Sequence, residues 1–236
     1  MIKQNLVLSL IFTIILTLGY AQKNVNQFDN AGKRHGLWTK SYHKTNQKRY
    51  EGVFKHGKEI DSFKYYTLSK GKSVLSAVKV FNENDSLADV TFLASNKKVI
   101  SEGKMNGKRF KGQWFFYHKN STAKMIDENY NDNGTLEGER NVYYKNGLVA
   151  ENAFYKNGKL DGEAKWFSEN DILIKLSQYK DGELDGKNIN YDASGTKISE
   201  GNYISNQKKG LWKYYKNAKL TKEVDHTKQK VITKKQ

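Results

Sequence analysis

From Gly36 onward the chain alternates apolar and polar residues in short runs separated by turn-forming dipeptides. This period-two pattern predicts half-packed β-strands. The runs recur: Gly138 to Tyr143, Gly162 to Phe167, Gly186 to Tyr191 and Gly210 to Tyr215 each open on glycine and close on an aromatic residue, and their glycines are 24 residues apart. An earlier copy runs from Gly112 to Tyr117, 26 residues before Gly138, and Gly36 to Tyr42 opens the array. The 76 residues between Gly36 and Gly112 leave room for two more units. Asp61 to Tyr66 supplies one, with Ser62 in the place of glycine, and spacing puts the other around Leu87 to Phe92.

The turns follow from the punctuation. Asn146–Gly147, Asn157–Gly158, Asn133–Gly134, Asp181–Gly182 and Ser194–Gly195 read as two-residue hairpin loops, because a type I′ turn needs positive φ at both central residues. Each unit then supplies two short strands. The predicted fold is all-β: an elongated antiparallel meander of tandem β-hairpin repeats, forming a twisted single-layer sheet of about eight units over residues 36–218. Residues 22–35 form a lead-in. The Lys-rich tail, 219–236, loses the repeat and either caps the last open strand or ends in disorder.

Faces follow from the same period. Trp114 with Phe116, Ala164 with Trp166, and Trp212 with Tyr214 share one face, where aromatics can stack unit upon unit. The closing aromatics Tyr117, Tyr143, Phe167, Tyr191 and Tyr215 belong to the other face, beside the turn. Asn188 and Asn190 interrupt the apolar pattern.

Ahead of the array, Lys3 precedes an apolar stretch from Leu6 to Leu18, and Gly19 and Ala21 supply small residues for a cut after Ala21. Residues 1–21 therefore read as a signal peptide, and the chain as exported: periplasmic, outer-membrane-associated or secreted. The absence of cysteine excludes both a lipoprotein anchor and disulfide staples. Without proline, and with 15 Tyr, 11 Phe and 4 Trp, the chain is supplied for a thin sheet paved with aromatics rather than a thick aliphatic core. A net charge of +16 suits anionic lipid or acidic polysaccharide; export disfavours nucleic acid.

The segment Tyr155 to Phe167, Tyr-Lys-Asn-Gly-Lys-Leu-Asp-Gly followed by Trp166 and Phe167, resembles the membrane occupation and recognition nexus (MORN) repeat in its bacterial variant form, and its relatives cover most of the mature chain. The resemblance implies a rod-like or gently twisted sheet of stacked hairpins with no catalytic residues of its own. Proteins of this kind are often labelled antitoxin-like; an export signal sets this chain apart from an intracellular antitoxin.

Catalytic chemistry needs unlike residues placed once, whereas here the conspicuous residues repeat. His35, His43, His56, His118 and His226 show no metal-ligand spacing, so neither a metal nor a cofactor is expected. Glu51, Glu102, Glu128, Glu151, Glu200 and Glu223 recur near the second strand, either as a carboxylate stripe or, as the abundance of lysine favours, as partners of lysines on neighbouring strands. Aromatics interleaved with lysine make Trp114, Tyr117, Trp166, Trp212 and Tyr215 the candidate binding residues, although cohesion of a thin sheet is the role the pattern favours for them, and exposure of the rings is the test. The expected function is a non-catalytic exported scaffold that binds a protein or envelope partner. An antitoxin or immunity-type protein masking a toxin, or a binder of anionic envelope lipid or glycan, are the alternatives.

Overall fold

The structure is a computed structural model, and it describes residues 24–81 and 86–234. The signal peptide expected at 1–21 lies outside the described residues. Eighteen strands occur among them: β1 Gln27–Phe28, β2 Arg34–Ser41, β3 Lys48–Lys55, β4 Lys58–Ser69, β5 Lys72–Phe81, β6 Leu87–Leu93, β7 Val99–Asn106, β8 Arg109–Tyr117, β9 Lys124–Tyr130, β10 Gly138–Tyr143, β11 Val149–Lys156, β12 Lys159–Phe167, β13 Leu173–Lys180, β14 Glu183–Tyr191, β15 Lys197–Ile204, β16 Gln207–Lys216, β17 Lys219–Asp225 and β18 Lys230–Lys234. Every one of these strands pairs antiparallel with the next, so one open sheet carries the described residues as a meander of hairpins. The Lys-rich tail is not an end apart: it supplies β17 and β18.

Two irregularities recur in each unit and explain its sequence. Where an odd strand leaves its turn, one residue has no partner opposite: Arg49, Ser76, Ile100, Met125, Ala150, Ile174, Ile198 and Thr221 are these bulge residues. Such bulges bend the strand and sharpen its twist. Early in the even strands, the unit-opening glycines take positive φ, 57° at Gly112, 117° at Gly162, 109° at Gly186 and 62° at Gly210, a backbone that side chains with a Cβ resist. In β4 that role falls to Asp61, φ 55°, and not to Ser62. Aspartate visits the left-handed region more readily than most residues because its short polar side chain bonds locally.

The turns also divide into two classes. Asn157–Gly158 and Asp181–Gly182 have positive φ at both residues and are the expected two-residue loops. At Asn133–Gly134, Asn146–Gly147 and Ser194–Gly195 only the glycine is left-handed. There Gly134, Gly147 and Gly195 donate their N–H to the carbonyls of Asn131, Tyr144 and Asp192, which makes three-residue loops in place of the predicted type I′ turns. Side-chain acceptors stabilise the longer form, as where Asn146 Oδ1 accepts from Leu148 N at 3.0 Å.

One face carries a central column in which each hairpin contributes a facing pair. The pairs are Gly103 with Trp114, Ala153 with Ala164, Ser177 with Asn188, and Gly201 with Trp212, which lies opposite Gly201 across the bulge. Gly52 with Phe63 occupies the same place in the second unit. A large ring is matched with glycine, whose missing side chain leaves the ring its place, and smaller residues are matched with each other. Trp114, Ala153, Ala164 and Ser177 are fully buried, and Trp212 nearly so. The indole N–H groups of Trp114 and Trp212 donate to the carbonyls of Lys104 and Asn202, 2.8 and 3.0 Å away, at the irregular pairing after each glycine. Asn188, which breaks the sequence pattern, donates to Ser177 Oγ at 2.6 Å and is buried in the column. Rows of partly buried aromatics flank the column, including Phe110, stacked on Trp114 with ring centroids 3.9 Å apart.

Hairpins are tied to one another at both edges. Leu136, Leu160 and Leu184 carbonyls accept from the turn amides of Gly158, Gly182 and Asn206, one unit later. The carboxylates beside them extend the tie: Glu137, Asp161 and Asp185 accept from the backbone amides of Asn157, Asp181 and Ser205. This is the physical content of the recurring Leu-Asp-Gly motif. At the opposite edge, Tyr42 and Tyr144 hydroxyls donate to the carbonyls of Tyr66 and Phe167.

Candidate functional site

The recurring glutamates do not form one stripe, because they are divided between the two faces. On the face opposite the column, Glu51, Glu102 and Glu200 each accept a hydrogen bond from the closing tyrosine of the next strand, Tyr66 at 2.6 Å, Tyr117, and Tyr215 at 2.5 Å. Lysines form ion pairs with these glutamates along the strand, Lys48 with Glu51 and Lys197 with Glu200, while Lys64 and Lys213, directly opposite on the neighbouring strands, act on them through charge alone. Lys48 and then Tyr66 hold the Glu51 carboxyl below the usual carboxylate range; for Glu200 the order is Tyr215, then Lys197. Partial burial, reinforced by the glutamate, pushes Tyr66, Tyr117 and Tyr215 up to about 12. Where Asn152 replaces the glutamate, the closing residue is Phe167, which has no hydroxyl to donate.

Glu128 and Glu151 lie on the column face instead. Arg140 bridges them, Nε to Glu128 Oε2 at 3.0 Å and Nη1 to Glu151 Oε1 at 2.9 Å. Tyr130 and Trp166 donate to the remaining oxygens at 2.5 and 3.1 Å. Among the described residues no buried side-chain N or O lacks a hydrogen-bond partner. These carboxylates are committed to internal bonds.

The aromatic residues expected to bind are likewise engaged. Trp114 and Trp212 are inside the column and offer no surface. Trp166, Tyr117 and Tyr215 are half-buried. The protein's own lysines cover these faces: Lys208 Nζ lies 4.0 Å from the Trp212 ring centre, Lys175 4.6 Å from Trp166, and Lys124 3.9 Å from Phe115. The Lys–aromatic interleaving thus serves cohesion at these positions.

A different set of residues is left available. On β2 to β4 a groove of about 360 Å³ is lined by Arg34, Lys40 and Arg49 together with Tyr42, Tyr50, Tyr65 and Tyr66. Its size falls within the range of small-ligand sites, roughly 300–1,000 Å³. Among the described residues Arg34, Lys40 and Arg49 make no ion pair, and the Tyr50 hydroxyl makes no hydrogen bond. Burial and Glu59 push the Tyr65 phenol upward, so it stays a neutral donor, here to Glu59 at 3.3 Å. Cations that share a groove with phenols suit an anionic group carried on a ring or a chain, with Lys40 and Arg49 the free ones and Arg34 stacked over Trp38 and Phe54. Sequence reasoning missed the groove because its residues come from three strands and lie outside the best-preserved units. The concentration of Tyr, Arg and Lys between Arg34 and Tyr66 was the available signal.

The fold also gathers histidines that the spacing left scattered. Asp29, His35 and His56 place one ligand atom each within 4.8 Å of one another. His43, His118 and His226 do not join them.

No protein-family model matches the chain, and no curated protein is detectably similar to it in sequence. The resemblance to MORN-type repeats accordingly rests on the repeat residues themselves.

Proposed function

We propose that this chain is an exported, non-catalytic repeat scaffold that holds an anionic component of the cell envelope, a glycan or a lipid headgroup, in the groove of Arg34, Lys40 and Arg49. The observation that carries the reading is a set of three cations that, among the described residues, have no acidic partner and share a groove with the unbonded Tyr50 phenol. The net charge of +16 draws anionic polymers toward the sheet as a whole, and the groove gives them a place to settle. The MORN-type resemblance agrees, since such arrays carry no catalytic residues of their own.

The test is co-sedimentation with anionic vesicles and retention on acidic polysaccharide over a salt series, comparing the parent with Lys40→Ala/Arg49→Ala. Each cation near an anionic surface contributes about 1 kcal/mol, so the double substitution is expected to weaken binding on the order of 30-fold. Binding that ignores both salt and the substitution would sink the proposal.

A second reading, a protein partner or a masked toxin, is favoured by one feature. The bulge residues Ile100, Met125, Ala150, Ile174 and Ile198 form an apolar row across successive hairpins, with Ile100 48% and Ile198 42% exposed. A single envelope protein captured by the parent but not by Ile198→Glu would favour it.

A further inference from the structure

We infer that Asp29, His35 and His56 form a binding site for a first-row divalent transition metal, with Zn²⁺ as the test ion. Two imidazoles and a carboxylate are the donor set that such ions prefer, and three protein ligands leave further positions open to water or a ligand. The three residues come from three segments that backbone hydrogen bonds already lock together. Asp29 N donates to Lys33 O across the β1–β2 turn, and Gly57 N donates to Arg34 O, which seats the β3–β4 turn against β2 beside His35.

The carboxylate is oriented before any ion arrives. Oδ1 of Asp29 accepts from the amides of Ala31 at 2.9 Å and Lys33 at 2.8 Å, which leaves Oδ2 directed at His56 Nδ1, 2.8 Å away. This is the outer-shell support that metal-ligating carboxylates use. The rings of His35 and His56 lie 5.0 Å apart, tilted by 49°, and both are exposed, so each is free to turn toward a common ion. Donors around a tetrahedral ion with bonds of roughly 2.0–2.2 Å stand about 3.4 Å apart. The observed separations, up to 4.8 Å, reach that by side-chain rotation alone. Arg34 does not oppose the ion, since it directs its guanidinium over Trp38 and Phe54, 5.1 Å from each ring, on the other face of β2; the Lys33 side chain runs past Gly57.

Titration of the tag-free chain with Zn²⁺ by calorimetry is expected to show one saturable site and a rise in the thermal midpoint, with no response to Mg²⁺. His35→Gln and His56→Asn are each expected to weaken the site at least tenfold. Asparagine is chosen at 56 because it tolerates the φ of 49° there. Asp29→Asn weakens the site while retaining the amide acceptor. In case a variant fails to fold, histidine ring resonances of the parent give a second reading: Zn²⁺ should shift His35 and His56 and leave His43, His118 and His226 in place. Absence of saturable binding, binding of undiminished strength in both histidine variants, or shifts confined to the other three histidines would overturn the inference.

Discussion

The indole of Trp114 lies flat across Gly103 of the neighbouring strand, so close that a Cβ on the glycine would stand 2.6 Å from Cδ2 and Cε2 of the ring. Trp212 over Gly201 and Phe63 over Gly52 repeat the arrangement, at 2.3 and 2.4 Å. Glycine here is not a turn residue. It is the floor on which the largest side chains of a one-layer sheet are laid.

Gly103→Ala is therefore expected to lose about 1–3 kcal/mol by overpacking, and Trp114→Ala about 3–5 kcal/mol by leaving a cavity. The double variant copies the Ala153–Ala164 step and should lose less than the two singles together. Urea unfolding followed by circular dichroism measures all three; strict additivity would show that ring and glycine are not coupled.

The Arg140 bridge makes a second coupled prediction. Arg140→Ala leaves Glu128, 7% exposed, and Glu151 without their counter-charge, and is expected to cost about 3–5 kcal/mol. Glu128→Ala/Arg140→Ala places two alanines in the column as its neighbour does, and is expected to cost less than the single substitution. The same unfolding assay decides it, and a double variant weaker than Arg140→Ala would contradict the account.

The glutamate–tyrosine clamps set two pH limits. Glu51 and Glu200 have folded pKa values below their ordinary value of 4.5, so their contribution is fully present above that pH and is lost as pH falls through the lowered value. Tyr66, Tyr117 and Tyr215 are raised from 10.0 to about 12, so their contribution holds below pH 10 and is lost between there and about 12. Thermal midpoints across pH should fall on both sides, and Glu200→Gln should flatten the acid side. Spectrophotometric titration should show these phenols ionising later than exposed tyrosine.

Asp61 and Gly162 hold equivalent places with positive φ, 55° and 117°. Asp61→Gly relieves a left-handed aspartate and should be neutral or raise stability by up to about 1 kcal/mol, whereas Gly162→Ala should lower it by more than about 1 kcal/mol. Gly162→Ala also brings a Cβ within 3.3 Å of Phe154 Cβ. Equal effects of the two substitutions would show that the position carries no backbone requirement.

Much of this molecule follows from local chemistry, and that part was legible in the chain. The 24-residue spacing of glycines, the alternation within Gly162 to Phe167 and the Asn157–Gly158 turn each act over a few residues, and together they specify a hairpin meander. Other features depend on which residues meet across strands. Only pairing distinguishes Gly103, a floor for Trp114, from Gly112, a positive-φ hinge. Glu151 directly follows the bulge residue Ala150, whereas Glu200 stands two residues after Ile198, so Glu151 faces Arg140 and Glu200 faces Tyr215, because a shift of one position exchanges the faces of a strand. The groove of Arg34, Lys40 and Arg49 and the meeting of Asp29 with His56 join residues from separate segments. No local period predicts either, since packing across segments, not spacing along the chain, brings those charges together.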